Sequence, residues 1–208
     1  LFTLNYDVLF EYAFEREQVP FFDGFAGGYE PFFLQDSVRH WDNGAIPNWT
    51  RLWKIHGSVN WSIDNHKRLV KCTPPSDGKM VFPSFEKFDH TRQQPYLGFL
   101  ERLRRFLEQP DALLIVSGYS FGDEHINDIL FSALRSNPRT HLFAFMFEGC
   151  QKNSQIYKQA KKNKNVIAVF PGCFVKGGSS QCHKFPDNLG DFNKLIEIFS
   201  AQQTDNQQ

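Results

Sequence analysis

Between Ala112 and Phe170 the chain alternates three apolar runs with two stretches of helical patterning. ALLIVSG (112–118), HLFAFMF (141–147) and VIAVF (166–170) are the runs; HINDILFSALRSN and the polar segment Ser154 to Lys162 lie between them. This alternation constrains the fold more than any other feature. Strands joined by helix-length crossovers pair in parallel, and the crossovers place helices on the faces of the sheet. The expected class is therefore α/β, a Rossmann-like parallel sheet with helices on both faces. The unbroken apolar run at 112–118 is expected to be a strand covered on both sides.

The flanks agree with this frame. Phe2 to Asp7 looks like the end of a strand passing into a turn, with a helix beginning near Val8. Tyr96 to Gln109 carries Leu97, Leu100, Leu103, Phe106 and Leu107 at helical spacing, with its arginines expected on the outer face, and Pro110 ends it. Asp191 to Ala201 reads as an amphipathic closing helix. Arg51 to Gly57 is a strand with imperfect alternation, and VNWSID and RLVKC are expected to form a hairpin. Gly27-Gly28, Asn43-Gly44 and Thr73 to Gly78 mark turns or loops. The expectation is one domain over residues 1–202, with irregular insertions at about 20–50 and 58–95 and a flexible tail at 203–208.

Charge and cysteine content narrow the function classes. Lys+Arg and Asp+Glu both number 23, so the net charge of +0 gives no basis for broad nucleic-acid or membrane-surface binding. The 23 phenylalanines read first as core filling and only second as stacking platforms. Cys72, Cys150, Cys173 and Cys182 are far apart and form no CxxC pair, so reduced, structural thiols are expected rather than a disulfide framework or zinc site. No apolar run reaches the roughly 18 residues of a spanning helix. The expected location is the cytoplasm.

In open α/β sheets ligands bind beyond the carboxyl ends of the strands. Three polar clusters fall there: Asn5-Tyr6-Asp7, His56-Gly57-Ser58, and Gly118 to His125 (GYSFGDEH). In the last, glycines between strand and helix permit close backbone approach, and helical N–H groups suit a phosphate. Each cluster also has an ordinary structural explanation. Asn5 and Asp7 are helix-capping residue types, His56 before a glycine suits a structural role, and Ser120 and Asp123 suit a turn and a cap.

Taken together and in order, TLNYD, KIHGSVNW and IVSGYSFGDEHIND resemble the sirtuin-like NAD-consuming domains of bacterial anti-phage defence proteins, over about residues 1–135 and more loosely beyond. The resemblance implies that Asn5 and Asp7 face the nicotinamide ribose and carboxamide, that His56 is the catalytic histidine, and that Gly57, Gly118, Ser120 and Asp123 contribute to binding NAD. Chemistry is consistent with these types. Cleaving the nicotinamide–ribose bond builds oxocarbenium-like charge, and an imidazole, with an ordinary pKa near ~6.5, is a suitable base beside ribose hydroxyls.

Two departures refine the expectation. Sirtuin deacylases carry two CxxC pairs between the His-Gly and Gly-x-Ser motifs, where this chain has only Cys72. No zinc is expected, and hydrolysis of NAD+ is favoured over deacylation. The family's first strand and glycine-rich loop are expected upstream of Leu1, because Gly24 to Gly28 follows a helix. The expected function is an NAD+ glycohydrolase acting as a defence effector, with NAD as substrate, a homo-oligomeric state, and a sensor or ATPase partner. The arginine face of the Tyr96 helix is one contact surface for such a partner, a solvated face being its plainer reading. Two alternatives stay open: a catalytically silent NAD or ADP-ribose-binding assembly module, and an ADP-ribosyltransferase or deacylase.

Overall fold

The computed structural model describes residues 1–40, 48–72, 95–179, 182–184 and 187–205. They form two compact units, Leu1–Leu103 and Arg104–Gln208.

In the first unit β1 (Phe2–Thr3) leads to α1 (Leu9–Arg16), followed by β2 (Phe21–Phe22), β3 (Phe25–Ala26), β4 (Phe32–Phe33), α2 (Gln35–His40) and β5 (Thr50–Arg51). Then come β6 (Trp53–Lys54), β7 (Trp61–Ile63), β8 (Leu69–Lys71) and α3 (Tyr96–Glu108), whose first part belongs to this unit. Two parallel pairs, β1 with β6 and β2 with β5, carry the strand expected at Arg51 to Gly57 as two short pieces interrupted at the buried Leu52. Within the two stretches expected as irregular insertions, the described residues include short strands. β3 and β4 from the first and β7 and β8 from the second join in one antiparallel sheet of order β3-β4-β8-β7, and β7–β8 is the expected hairpin. Gly27 at φ +106° sits in the β3–β4 turn. Asn43-Gly44 and Thr73 to Gly78 lie outside the described residues.

Aromatic side chains fill this unit's core. Phe99 of α3 is fully buried, with ring centroids 5.5 Å from Trp53, 5.8 Å from Phe33 and 6.0 Å from Trp61. The buried line of α3 is Phe99, Leu103 and Leu107, while Leu97 is exposed. The expectation that the α3 arginines all face outward is corrected at Arg102. It is buried, and its guanidinium donates to the main-chain oxygens of Val38 and Arg39. Both oxygens lie in the last described turn of α2. The arginine thus ties α3 to the main chain of α2.

In the second unit β9 (Leu113–Ser117), α4 (Glu124–Ser136), β10 (His141–Phe145), α5 (Gln155–Lys162) and β11 (Val166–Phe170) form the expected strand–helix alternation. β12 (Cys173–Val175), β13 (Cys182–Lys184) and α6 (Phe192–Asp205) follow, the helix running beyond its expected end at Ala201. The sheet order is β13-β12-β11-β10-β9, parallel across β9, β10 and β11 and antiparallel at β12 and β13. The architecture is mixed α/β, in keeping with a Rossmann-like class. Asp123 caps α4 by accepting from the Ile126 N–H, and Ser154 caps α5 in the same way. Three polar side chains tie the ends opposite the expected binding edge. Asn165 Nδ2 donates to Leu134 O (2.9 Å) and Thr140 O (2.7 Å), Asn137 Nδ2 donates to Thr140 Oγ1 (2.8 Å), and Thr140 Oγ1 donates to Leu107 O (2.7 Å).

Two further expectations are corrected here. β9 is not covered on both faces: Leu113 and Ile115, two residues apart and so on one face, are 50% and 44% exposed, and among the described residues β9 ends the sheet order. Cys173 is disulfide-bonded, not a reduced thiol, whereas Cys72 and Cys150 are free. Among the described residues no helix is long and apolar enough to cross a membrane.

Candidate functional site

The parallel register of the first unit does the initial positioning. Thr3 lies opposite Lys54, so Asn5 and His56, each two residues further on, leave the same carboxyl edge of adjacent strands. The loops that follow are bonded to each other. Ser58 Oγ and the Val59 N–H both donate to Tyr6 O, at 3.2 and 2.9 Å, and the Tyr6 and His56 rings lie 6.2 Å apart. The first two sequence motifs are therefore one structural feature.

Within it, Asn5 is exposed and His56 half-buried, and the Asn5 N–H donates to Thr3 Oγ1 at 3.1 Å. Neither Asn5 nor Asp7 is the cap residue of α1. That position belongs to Val8, which makes no side-chain capping bond. Asp7 Oδ1 accepts from the Leu9 N–H at 3.1 Å, so its carboxylate is oriented by the start of the helix. Gly57 adopts φ +93°, and its N–H donates to Lys54 O at 3.0 Å to close a tight turn. A β-carbon at Gly57 would lie 3.1 Å from the Tyr96 hydroxyl, so glycine here also makes room for that phenol. Burial, and then the neighbouring Tyr6, pushes Tyr96 up to about 12, which keeps it a protonated donor.

The third motif belongs to the second unit, at the carboxyl end of β9. Gly118 has φ +70° and open space around its missing side chain, and both it and Ser120 are exposed. Phe121 is buried yet adopts φ +58°, a left-handed conformation that costs a bulky residue about 1–2 kcal/mol. The buried Asn127 holds it there: Nδ2 donates to Phe121 O (2.8 Å) and to Gln155 Oε1 (3.1 Å), while Oδ1 accepts from the Tyr119 hydroxyl (2.9 Å). Tyr119, also pushed up to about 12 by burial and then by Asp123, lies within hydrogen-bonding distance of Asp123 O as well. With Asp123 and Glu124 at the start of α4, the end of this loop is acidic. It suits a hydroxyl donor such as a ribose better than a phosphate.

Asn5, Asp7, His56 and Gly57 are thus brought together in the first unit, and Gly118, Ser120 and Asp123 in the second. Lys54, Tyr96, Tyr119 and Asn127 support them and were not singled out from sequence. A surface cavity of about 760 Å³ in the second unit is lined by other residues, among them Arg104, Glu108, Asp128, Arg135 and Arg139. Among the described residues no cluster of three or more His, Cys, Asp or Glu side chains is arranged to hold a metal ion.

Parallel strands with crossover helices and polar loops at their carboxyl ends define the class of open α/β ligand-binding domains. The chain belongs to the SIR2-like domain family, whose model matches residues 1–168. A comparison with curated proteins finds no match. SIR2-like domains use NAD+, and membership places the chain in an NAD-dependent enzyme superfamily.

Proposed function

We propose that the chain is an NAD+ glycohydrolase. The observation that carries this reading is the β1–β6 register, which sets Asn5 and His56 side by side at one strand edge with their loops bonded through Tyr6 O. The nicotinamide–ribose bond breaks with its electron pair leaving on the nicotinamide nitrogen, and water adds to the ribose carbon. Free ADP-ribose and a proton are the remaining products. His56 accepts the proton, Asn5 orients the water or the ribose, and Asp7 holds the leaving carboxamide. The resemblance assigns Gly57 in the first unit and Gly118, Ser120 and Asp123 in the second to binding NAD, and within the second unit Ser120 and Asp123 are best suited to a ribose hydroxyl.

Depletion of NAD by such an enzyme fits an effector of anti-phage defence, acting in the cytoplasm as a homo-oligomer beside a sensor or ATPase partner. The resemblance of the three motifs to that group of proteins supports this wider role.

The test is nicotinamide release from NAD+ by the full-length protein, with and without its neighbouring gene product. His56→Ala is expected to lower kcat by about 10²–10⁴-fold, the range of a lost general base. Equal rates in the variant would remove His56 from the mechanism. Bound NAD with no release under any condition would leave the silent binding module, and ADP-ribose recovered on a protein or other acceptor would indicate transfer.

A further inference from the structure

A lysine in a strand ordinarily extends its ammonium to solvent. Lys54 does not: its side chain is 1% exposed, and Glu11 of α1, its partner at 2.9 Å, is 9% exposed. The same ammonium donates to the main-chain oxygen of Asp7. Among the described residues the buried Glu11 Oε2 has no hydrogen-bond partner, so within them the pair is not fully satisfied. Replacing a buried ion pair by an apolar pair of similar volume is often neutral or stabilising. Such a pair would not hold the Asp7 carbonyl.

We propose that Lys54 and Glu11 are positioning residues of the NAD-cleaving site, an inference that rests on the function proposed above. Lys54 lies two residues before His56 and opposite Thr3, which lies two residues before Asn5. Its ammonium donates to the Asp7 carbonyl at the far end of the Asn5–Asp7 segment, and Glu11 fixes the ammonium from the first turn of α1. One buried cation thereby joins the strand that delivers His56, the segment that carries Asn5 and Asp7, and the helix that follows. Neither residue reaches the substrate; they fix the direction from which Asn5 and Asp7 meet it.

The experiment compares the full-length wild type with Lys54→Met/Glu11→Leu, in which both charges are removed and the apolar volume is kept. The double variant is expected to melt near the wild-type temperature and to lose about tenfold or more in kcat, with KM changed by about threefold or less. Amide hydrogen exchange over residues 4–9 is expected to accelerate by about tenfold, with β9 to β11 unchanged. Lys54→Arg, which keeps a cationic donor, is expected to restore most of the kcat.

A folded double variant with wild-type kcat and wild-type exchange at residues 4–9 would overturn the proposal. If the double variant does not fold, Glu11→Gln replaces it; unchanged kcat and exchange in that variant would overturn the proposal equally. A wild type that releases no nicotinamide defeats the cleavage reading on its own. The exchange measurement then still decides whether Lys54 holds the segment.

Discussion

Gly57 and Tyr96 in the first unit, and Tyr119 in the second, show how much of each candidate loop rests on single atoms. A glycine with φ +93° lets the Tyr96 hydroxyl approach, and the two phenols stay protonated because burial disfavours their charged forms. Both are pushed up to about 12, against about 10 for an unfolded tyrosine. Between those values the folded protein holds more protons than the unfolded chain, so stability falls as pH rises through that window and is unaffected below it. Unfolding free energy measured by urea titration from neutral to strongly alkaline pH is expected to decline there, and the decline should be shallower in Tyr119→Phe. Lys54 and Arg102 are the residues least legible beforehand. A lysine and an arginine read as solvated when only spacing is known, and nothing local tells that Glu11 or the end of α2 lies within reach.

At the scale of elements, β9, β10 and β11 with their crossover helices were legible because apolar runs and helical periodicity are both strong there. β12 and β13 were not, being three residues each and set among glycines and lysines. The antiparallel sheet of the first unit was half legible: β7 and β8 show as a hairpin, but β4 pairs with β8 through Phe32 and Val70, a contact no local pattern announces. In the candidate site, the strand ends located Asn5, His56 and Gly118, while Asn127 stood unremarked inside the quoted motif. Replacing Asn127 by Leu removes its bonds to Phe121 O, Gln155 and Tyr119. A loss of about 2–3 kcal/mol is expected from the urea midpoint, with faster cleavage by an aromatic-specific protease at the loop. An unchanged midpoint would show that the left-handed Phe121 is held by packing alone.

For the molecule as a whole, the disulfide at Cys173 bears on where the chain works. Such bonds are uncommon in a reducing cytoplasm, the compartment proposed above. With four cysteines in the chain and Cys72 and Cys150 free, thiol titration of the denatured, unreduced protein is expected to count two groups, and four after reduction. Four at the outset would return the chain to the reduced state. Strand β9 of the second unit's sheet has a more practical consequence. Half-exposed Leu113 and Ile115 make the end of that sheet adhesive, and a chain with no net charge has little repulsion to offset it. That strip is expected to limit the concentration the protein tolerates in the test tube, and Ile115→Thr, which keeps a good strand former, is expected to raise the limit measured by light scattering.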